Sequence, residues 1–176
     1  MASALSFRPA LADEATQIAT LINESYRGET SRLGWTTEAD LLDGLRTDEA
    51  EVRQLIESDH SMIMLCLHGN ELMGSVHLEK MDEGVHIGMF VVKPTLQKQG
   101  IGKQLLAEAE WAATERWRTS RFSMMVITLR HELIAFYERR GYRRTGVLKE
   151  FPVNPDVWKP KVTGLQLEKL EKLLSL

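Results

Sequence analysis

The chain has 176 residues, 43% of them hydrophobic, and a formal net charge of −3 at pH 7. This length suits one domain with its own core, so a single domain over residues 1–176 is expected. The slightly acidic balance and the lack of a basic run argue against a nucleic-acid-binding surface. No apolar stretch approaches the roughly 20 residues of a membrane span, and the N-terminus lacks a secretory pattern. A cytoplasmic enzyme or binding protein is therefore the default expectation.

Residues 1–37 predict a short strand, one helix and a polar loop. The segment 6–8 suits an edge strand, and apolar residues at helical spacing predict a helix over about 14–26 with Asp13 as its N-cap. The segment that follows, up to Thr37, is polar and contains two glycines and one large aromatic residue, Trp35. It is predicted to be a loop of the kind that often carries function.

Two further helices are predicted before the first long strand. Thr37 with Asp40 three residues later resembles a capping box, and the leucines of 41–45 then supply an apolar face. A second helix over about 48–57 also shows apolar residues at helical spacing.

From residue 61 the apolar pattern changes from helical spacing to short runs. Strands are predicted over 62–67, 72–80 and 85–92, and the short turns between them make an antiparallel meander. The single cysteine, Cys66, excludes an internal disulfide. Its apolar neighbours predict a buried thiol rather than a nucleophile.

The second half of the chain alternates helices and strands. Its predicted elements are a helix after Gly102, a strand over 121–129, a short helix ended by Gly141, a strand over 143–148, a proline-containing loop over 150–161 and a last segment over 162–169. Since a helix connects the strands at 85–92 and 121–129, these two are expected to be parallel. By its pattern alone, the last segment fits a strand or a helix. The expected fold class is α/β, with a mixed sheet flanked by helices.

The segment 85–117 carries the clearest functional signal. A strand ends at Val92, a polar loop follows, and a helix begins at Gly100-Ile101-Gly102. Backbone N–H groups at a helix start lack partners within the helix, and glycine lets a ligand approach them closely. Two interpretations are open: a phosphate or pyrophosphate cradle, or a plain strand-to-helix connection.

Two common phosphate motifs do not fit this turn. A P-loop would need Gly at position 97 and Ser or Thr at position 104, but both residues are Gln. A dinucleotide-binding fingerprint that starts at Gly100 would need its third Gly at position 105, where the chain has Leu105.

A third pattern does fit. The motif Q-x-x-G-x-G at 97–102, after a strand that ends V-x-P at 92–94, resembles the acyl-CoA signature of the GNAT superfamily of N-acetyltransferases. The pairs F-Y at 136–137 and G-Y at 141–142 resemble the second landmark of that family. The resemblance covers about 6–169 and favours a strand for the last segment.

The resemblance implies that acetyl-CoA, as the acyl donor, enters a gap between the strands at 85–92 and 122–129. Gly88 marks either a bulge that opens the gap or a glycine packed against a neighbour. The turn would hold the pyrophosphate, and the end of the first strand would bind the pantetheine arm and supply an oxyanion-hole N–H. The implied donor-binding residues are Phe90, Val91, Val92, Gln97, Lys98, Gln99, Gly100, Ile101, Gly102, Lys103, Arg130 and Tyr137. The two lysines add charge to the site or are simply solvated.

Acetyl transfer also needs a neutral amine and a proton for the leaving thiolate. Tyr137 matches the tyrosine that often serves as general acid in this family, although a core aromatic residue would look the same. His86 stands where many relatives carry a glutamate base, and Glu79 on the neighbouring strand is a second candidate. His86 is alternatively a structural residue, and a chain of waters can replace a dedicated base.

Two features depart from the family pattern or suggest other chemistry. Arg130 stands where relatives usually have Asn; it cannot accept a hydrogen bond from the pantetheine arm but could reach a phosphate or an anionic substrate group. The histidines at 68, 77 and 86 suit neighbouring strands, but no Cys or carboxylate completes a metal site, and no metal is expected.

The acceptor side of this fold is formed by the N-terminal helices and the loop before the last strand, here 26–35 and 150–158. The candidate acceptor-binding residues are Tyr26, Glu29, Arg32 and Trp35. They could hold a small polar amine by charge and stacking, or the segment could be a solvated loop anchored by its tryptophan. Acidic and basic residues balance there, so the sequence does not identify the acceptor.

The favoured function is transfer of an acetyl group from acetyl-CoA to a primary amine of a small molecule by direct attack in a ternary complex. No well-placed cysteine supports an acyl-enzyme route. The alternatives are acetylation of a protein lysine or N-terminus, and a non-catalytic CoA-binding sensor or assembly module. The sheet edges and the C-terminal segment are compatible with a homodimer.

Overall fold

The computed structural model describes residues 4–152 and 154–175. The strands are β1 (Leu5–Pro9), β2 (Leu42–Gly44), β3 (Ser61–His68), β4 (Glu71–Met81), β5 (Gly84–Val92), β6 (Arg121–Ile127), β7 (Arg143–Glu150), β8 (Trp158–Pro160) and β9 (Gln166–Leu173). The helices are α1 (Ala15–Tyr26), α2 (Gly28–Ser31), α3 (Glu49–Glu57), α4 (Ile101–Trp117) and α5 (His131–Arg139).

The described residues form a seven-stranded mixed sheet in the order β1-β3-β4-β5-β6-β9-β7, and β2 pairs with β8 in a small second sheet. β3, β4 and β5 make the predicted antiparallel meander, and β1 pairs with the outer side of β3. β9 lies between β6 and β7 and runs antiparallel to both, so the ambiguous last segment is a strand. The predicted mixed α/β fold is confirmed.

Alternate side chains of β3 face two separate apolar layers. Met62, Met64 and Cys66 pack in the layer that contains the apolar stripe of α4, whereas Ile63 and Leu65 pack with α1 and α3. Helices therefore cover both faces of the sheet. Full burial of each large apolar side chain contributes about 2 kcal/mol. The thiol of Cys66 is completely buried, as predicted.

A bulge in β5 exchanges the two faces. Val85 and Ile87 pack in the α4 layer, but beyond the bulge Met89 and Val91 pack in the α1 layer, while Phe90 contacts the α4 layer. The bulge lies opposite the register shift in β4, and the backbone φ of Met89 is +44°. A bulge, one of the two interpretations open for Gly88, is thus present one residue after it, and the residues beyond it face the layers opposite to those that regular alternation would give them.

β5 and β6 are parallel, as predicted, but they pair over only two residue positions. Val85 pairs with Phe122 and His86 with Ser123, and no further pairs follow along the described strands. Because the bulge begins three residues after His86, the two strands separate and leave a gap in the middle of the sheet.

The prediction of a helix after Thr37 was wrong. Leu42 to Gly44 form β2, and an added Cβ at Gly44 would clash with the carbonyl oxygen of Val157. The hydroxyl of Thr37 accepts a hydrogen bond from the N–H of Ala39 at 3.1 Å instead of capping a longer helix. Close approach of a distant chain segment, which local spacing cannot reveal, decides the conformation here.

Other local predictions meet mixed outcomes. The helices expected at about 14–26 and 48–57 are α1 and α3. Asp13 does not cap α1, because it lies in a 3-10 turn, Ala12–Glu14, that precedes the helix. The loops predicted at 27–37 and 150–161 contain the short elements α2 and β8. None of the helices in the described ranges is both long and apolar enough to cross a bilayer.

Candidate active site

A cavity of about 530 Å³ opens between the N-terminus of α4, the helix α5 and the loop after α2; we call it the donor cavity. The predicted donor-binding residues that line it are Phe90, Val92, Gln97, Lys98, Gly100, Gly102, Lys103 and Arg130. Three others do not, since Val91 and Ile101 are buried in the core and Gln99 is exposed outside the lining. Tyr137 lines a second cavity.

The glycine turn keeps the start of α4 open. Gly100 is the N-cap with φ +81°, and no side chain caps the helix. A Cβ added at Gly100 would meet no atom within 4 Å, so the space beside the first helical N–H groups is free. Unpaired N–H groups and the helix dipole favour an anion at this position.

The lining of the donor cavity is strongly basic. Its charged residues are Lys98, Lys103, Arg130, Arg139, Arg140 and Glu132. The guanidinium of Arg140 stacks on Phe136 with 4.8 Å to the ring centroid, and its buried Nε atom has no hydrogen-bond partner among the described residues. The pyrophosphate of acetyl-CoA fits this cavity. The cavity combines the open start of α4, the unpaired Nε of Arg140 and an excess of positive charge.

The side chain of Gln97 makes contacts that the sequence did not predict, in addition to lining the donor cavity. Its Oε1 accepts a hydrogen bond from the N–H of Trp35 at 2.8 Å, and its Nε2 donates to Thr36 Oγ1 at 2.7 Å and to Val92 O at 3.1 Å. A Cβ added at Gly34 would lie 2.6 Å from the same Oε1 atom. The side chain therefore joins the turn to the loop after α2.

A second cavity of about 230 Å³ lies where β5 and β6 separate; we call it the acceptor cavity. Its walls come from β5, β6, the segment 26–46 and the loop before β9. The two cavities share Tyr26, Phe90, Arg130 and Leu133. They therefore meet at the bulge of β5.

Tyr26 supports that junction. Its hydroxyl donates a hydrogen bond to the carbonyl oxygen of Phe90 at 2.7 Å. Burial raises the pKa of Tyr26 to about 12, so the hydroxyl keeps its proton at neutral pH. This bond fixes the bulged backbone at the point where the two cavities meet.

Tyr137 lies in a cluster of aromatic rings next to this junction. Its ring centroid is 6.2 Å from that of Phe90, 5.4 Å from that of Phe136 and 5.9 Å from that of Tyr142. Burial raises the pKa of Tyr137 well above its usual value. The hydroxyl is therefore protonated at neutral pH and can donate a hydrogen bond into the acceptor cavity.

The two candidate bases lie in different surroundings. His86 lines the acceptor cavity, and its pKa is lowered chiefly by burial, so the ring is neutral and can accept a proton at neutral pH. Glu79 pairs with His86 across β4 and β5, but it is exposed and lines neither cavity. Its negative charge opposes the effect of burial on the pKa of His86.

Comparison with known proteins identifies the family. The family model described as the acetyltransferase (GNAT) domain matches residues 41–152, which is more than half of the chain. The protein belongs to the GNAT acetyltransferases. It is therefore an acetyltransferase of a family that uses acetyl-CoA as donor, as the sequence predicted.

Solved structures share the fold at low sequence identity. A GNAT-family acetyltransferase from Streptococcus pneumoniae has a TM-score of 0.67 and 17% identity, covering 98% of this chain and 100% of its own. The ribosomal-protein-S18-alanine N-acetyltransferase from Escherichia coli gives 0.68 and 11%, over 98% and 96% of the two chains. Spermidine/spermine N-acetyltransferase from Vibrio cholerae gives 0.66 and 15%, over 96% and 92%. No curated protein matches the sequence.

Arg130, the departure from the GNAT pattern, belongs to a buried charge cluster. Its Nη1 donates to Glu38 Oε1 at 3.2 Å, and its Nη2 donates to the carbonyl oxygen of Thr36. The other oxygen of Glu38 accepts from Arg27 Nε at 3.3 Å. One carboxylate thus serves two buried guanidinium groups at the wall between the cavities.

The predicted acceptor-binding residues separate into two groups. Tyr26 lines both cavities and Trp35 lines the donor cavity, 6.0 Å between ring centroids from Phe136. Glu29 and Arg32 lie at the surface, where Arg32 forms ion pairs with Glu29 and Asp40, and neither lines a cavity.

Several lining residues carried no local signal in the sequence. Glu38 and Arg46 reach the acceptor cavity from a segment that was predicted to be helical, and Arg139 and Arg140 lie inside the second family landmark. Only the landmark could have drawn attention to the last two. Among the described residues, no cluster of three or more potential metal ligands forms. Burial raises the pKa of the Cys66 thiol to about 11, away from both cavities.

Proposed function

We propose that this enzyme transfers the acetyl group of acetyl-CoA to a primary amine of a small molecule by direct attack in a ternary complex. The observation that carries the proposal is the meeting of two cavities at the bulge of β5, where they share Tyr26, Phe90, Arg130 and Leu133. Two substrates, one in each cavity, can react there without a covalent enzyme intermediate. This arrangement lowers the entropic barrier by holding both reactants in position.

The donor cavity supports acetyl-CoA as the acyl donor. The open start of α4, with Lys98 and Lys103 beside it, holds the pyrophosphate, and Arg139 and Arg140 add positive charge. The end of β5 binds the pantetheine arm. When bound, acetyl-CoA supplies an activated acetyl group, and the backbone at the bulge orients it towards the acceptor cavity.

In the proposed reaction, Tyr137 donates a hydrogen bond and His86 accepts a proton. Tyr137 holds its proton at neutral pH and donates a hydrogen bond to the leaving sulfur, which stabilises the thiolate. Because burial makes this phenol a weaker acid than usual, its main contribution is the hydrogen bond rather than complete proton transfer. Neutral His86, at the wall of the acceptor cavity, accepts the proton of the amine directly or through water.

The shape of the acceptor cavity supports a small molecule over a protein chain. Its volume is about 230 Å³, and Phe151, Pro152 and Trp158 cover it from the loop before β9. An acceptor that must fit under this loop is smaller than a folded protein surface, which would need an open groove.

Two measurements test the proposal. The shift in melting temperature with acetyl-CoA reports donor binding, and thiol release with a panel of amines reports transfer. A ligand at a hundred times its dissociation constant stabilises a protein by about 2.7 kcal/mol, so the melting temperature should rise by several degrees. Gly100→Glu should abolish the shift, because its carboxylate occupies the anion site. Gly100→Ala is the matched control: it carries the same strain at φ +81° without the charge, and it should retain the shift.

Equal shifts in all three proteins would place the donor elsewhere. No shift in the wild-type protein would remove the donor assignment. Tight acetyl-CoA binding without thiol release from any amine would favour a CoA-binding sensor.

A further inference from the structure

The acceptor cavity carries an excess of positive charge. Three arginines line it, Arg27, Arg46 and Arg130, against a single carboxylate, that of Glu38. Glu38 is already bound to Arg27 and Arg130, whose side chains are 5% and 9% exposed. The cavity therefore retains excess positive charge after its internal ion pairs are counted.

Arg46 carries one of the unbalanced positive charges, and it has no share in the carboxylate of Glu38. Among the ion pairs and side-chain hydrogen bonds of the described residues, none involves its guanidinium, although the residue lines the cavity and is only partly exposed. Its positive charge contributes to the lowered pKa values of His77 and His86. Because Arg46 is part of the lining, its positive charge belongs to the cavity.

The backbone beside Arg46 is held in place. Asn23 Oδ1 accepts hydrogen bonds from the N–H groups of Arg46 at 2.8 Å and Thr47 at 3.1 Å, and Asn23 Nδ2 donates to Thr47 O at 2.9 Å. Thr47 also donates to Glu51 on α3. The backbone at Arg46 is thus ordered before any ligand binds, so anion binding has to order only the side chain with its unpaired guanidinium.

We propose that the acceptor amine also carries an anionic group, a carboxylate or a phosphate, and that Arg46 binds this group. This inference rests on the proposed acetyl transfer. Polyamines are disfavoured, since each extra ammonium group would face the arginines without a free carboxylate. Amino acids and phosphorylated amines are the matching chemical classes, and planar carboxylates suit the guanidinium fork.

Thiol release measures the preference directly. With saturating acetyl-CoA, we compare small L-amino acids, their amides, O-phosphoethanolamine, ethanolamine and spermidine. At least one anionic amine should exceed its neutral partner in kcat/KM by about tenfold or more, the scale of one hydrogen bond to a charged group. The amino acids and the phosphate compound distinguish the two sources of charge. Faster reaction of spermidine or the neutral amines would overturn the inference and leave the acetyl transfer standing.

Variants assign the preference to Arg46. Arg46→Gln should lose the advantage of the anionic amine, and Arg46→Lys should retain part of it. Arg53→Gln, which removes an exposed arginine paired with Glu49 on α3, is the control and should behave like the wild type. An unchanged preference in Arg46→Gln would overturn the assignment.

A binding measurement separates this inference from the reaction. The CoA-bound protein is melted with the same amino acids, O-phosphoethanolamine and neutral amines, in wild type and Arg46→Gln. Stabilisation by an anionic amine that Arg46→Gln lacks supports the inference, even when no thiol is released and the transfer proposal fails. Absence of stabilisation by every anionic amine, together with no anionic preference in thiol release, overturns it.

Discussion

The donor and acceptor cavities differ in how the chain builds them. Most of the donor lining comes from two compact segments, Phe90 to Lys103 and Arg130 to Arg140, whereas the acceptor lining is collected from segments between Tyr26 and Leu167. The donor side uses backbone N–H groups and solvent-facing cations. The acceptor side depends on buried charges that must find one another during folding. A local motif can therefore reveal the first, while only the folded chain reveals the second.

Removal of Glu38 should give the largest effect, because the acceptor side needs its carboxylate to fold. Glu38→Ala leaves Arg27 and Arg130 buried without their partner, and we expect a loss of about 3–5 kcal/mol in the free energy of unfolding. Urea denaturation measures this loss. Glu29→Ala, which breaks an exposed ion pair with Arg32, should cost no more than about 0.5 kcal/mol. Equal losses of unfolding free energy in the two variants would show that the buried ion pairs of Glu38 contribute no more to stability than the exposed pair of Glu29.

Tyr137 tests the junction between the cavities. Tyr137→Phe should lower kcat on the order of a hundredfold while the acetyl-CoA melting shift stays unchanged. The reason is that phenylalanine preserves the contacts with Phe90, Phe136 and Tyr142 but cannot donate a hydrogen bond. Stopped-flow or steady-state thiol release gives kcat. An unchanged kcat would assign the tyrosine to packing alone.

The acceptor side should also carry a pH dependence of stability. His77 is hydrogen-bonded to Ser61 at 2.7 Å, and burial, with smaller contributions from His86 and Arg46, lowers its pKa from 6.5 to about 4. Between these values the unfolded chain binds more protons, so stability falls as the pH drops through this window. We expect roughly 3 kcal/mol from this group.

The pH dependence is measured as the free energy of unfolding from pH 6.5 to 4. His77→Gln should reduce its slope without removing it, since the pKa of His86 is also lowered. His60→Gln changes an exposed histidine and should leave the slope as it is. A slope in His77→Gln equal to that of the wild type would contradict the expectation.

The smallest effect is expected where the glycine turn before α4 meets the loop after α2. Gln97→Ala removes the hydrogen bonds to Trp35, Thr36 and Val92, and should destabilise the protein by about 1–2 kcal/mol. Differential scanning calorimetry and limited proteolysis of the loop measure it. Gln99→Ala, at an exposed position of the same turn, should change neither. Matching results for the two glutamines would show that the loop does not depend on the turn.

The sequence predicted those parts of the fold that local patterns determine. The meander, the helix after Gly100 and the strand at 121–129 follow from apolar spacing and glycine positions, and all three are present. The segment around Leu42 was misassigned, because β2 forms only through its pairing with β8, more than a hundred residues away. The reversal of faces at Met89 was also hidden, since a non-glycine residue takes the left-handed conformation there.

The same distinction holds for the candidate site. The family motif marks the glycine turn and Tyr137, and both line cavities that meet, while their roles stay predictions. Glu38 and Arg46 were missed, since nothing in their neighbours distinguishes them from surface charges. Glu29 and Arg32 are predicted from their charge and from the acceptor wall that the family resemblance places at 26–35, but the fold leaves them outside both cavities.

The hydrogen bonds of Gln97 have a consequence for the thermodynamics of substrate binding. They connect the glycine turn before α4 to Thr36, whose carbonyl oxygen accepts from Arg130, and Arg130 is bound to Glu38 at the acceptor cavity. When one substrate binds and orders these connected residues, the other substrate no longer has to order them. Thermodynamic linkage requires the coupling to be reciprocal, so acetyl-CoA and the acceptor should raise each other's affinity by the same factor.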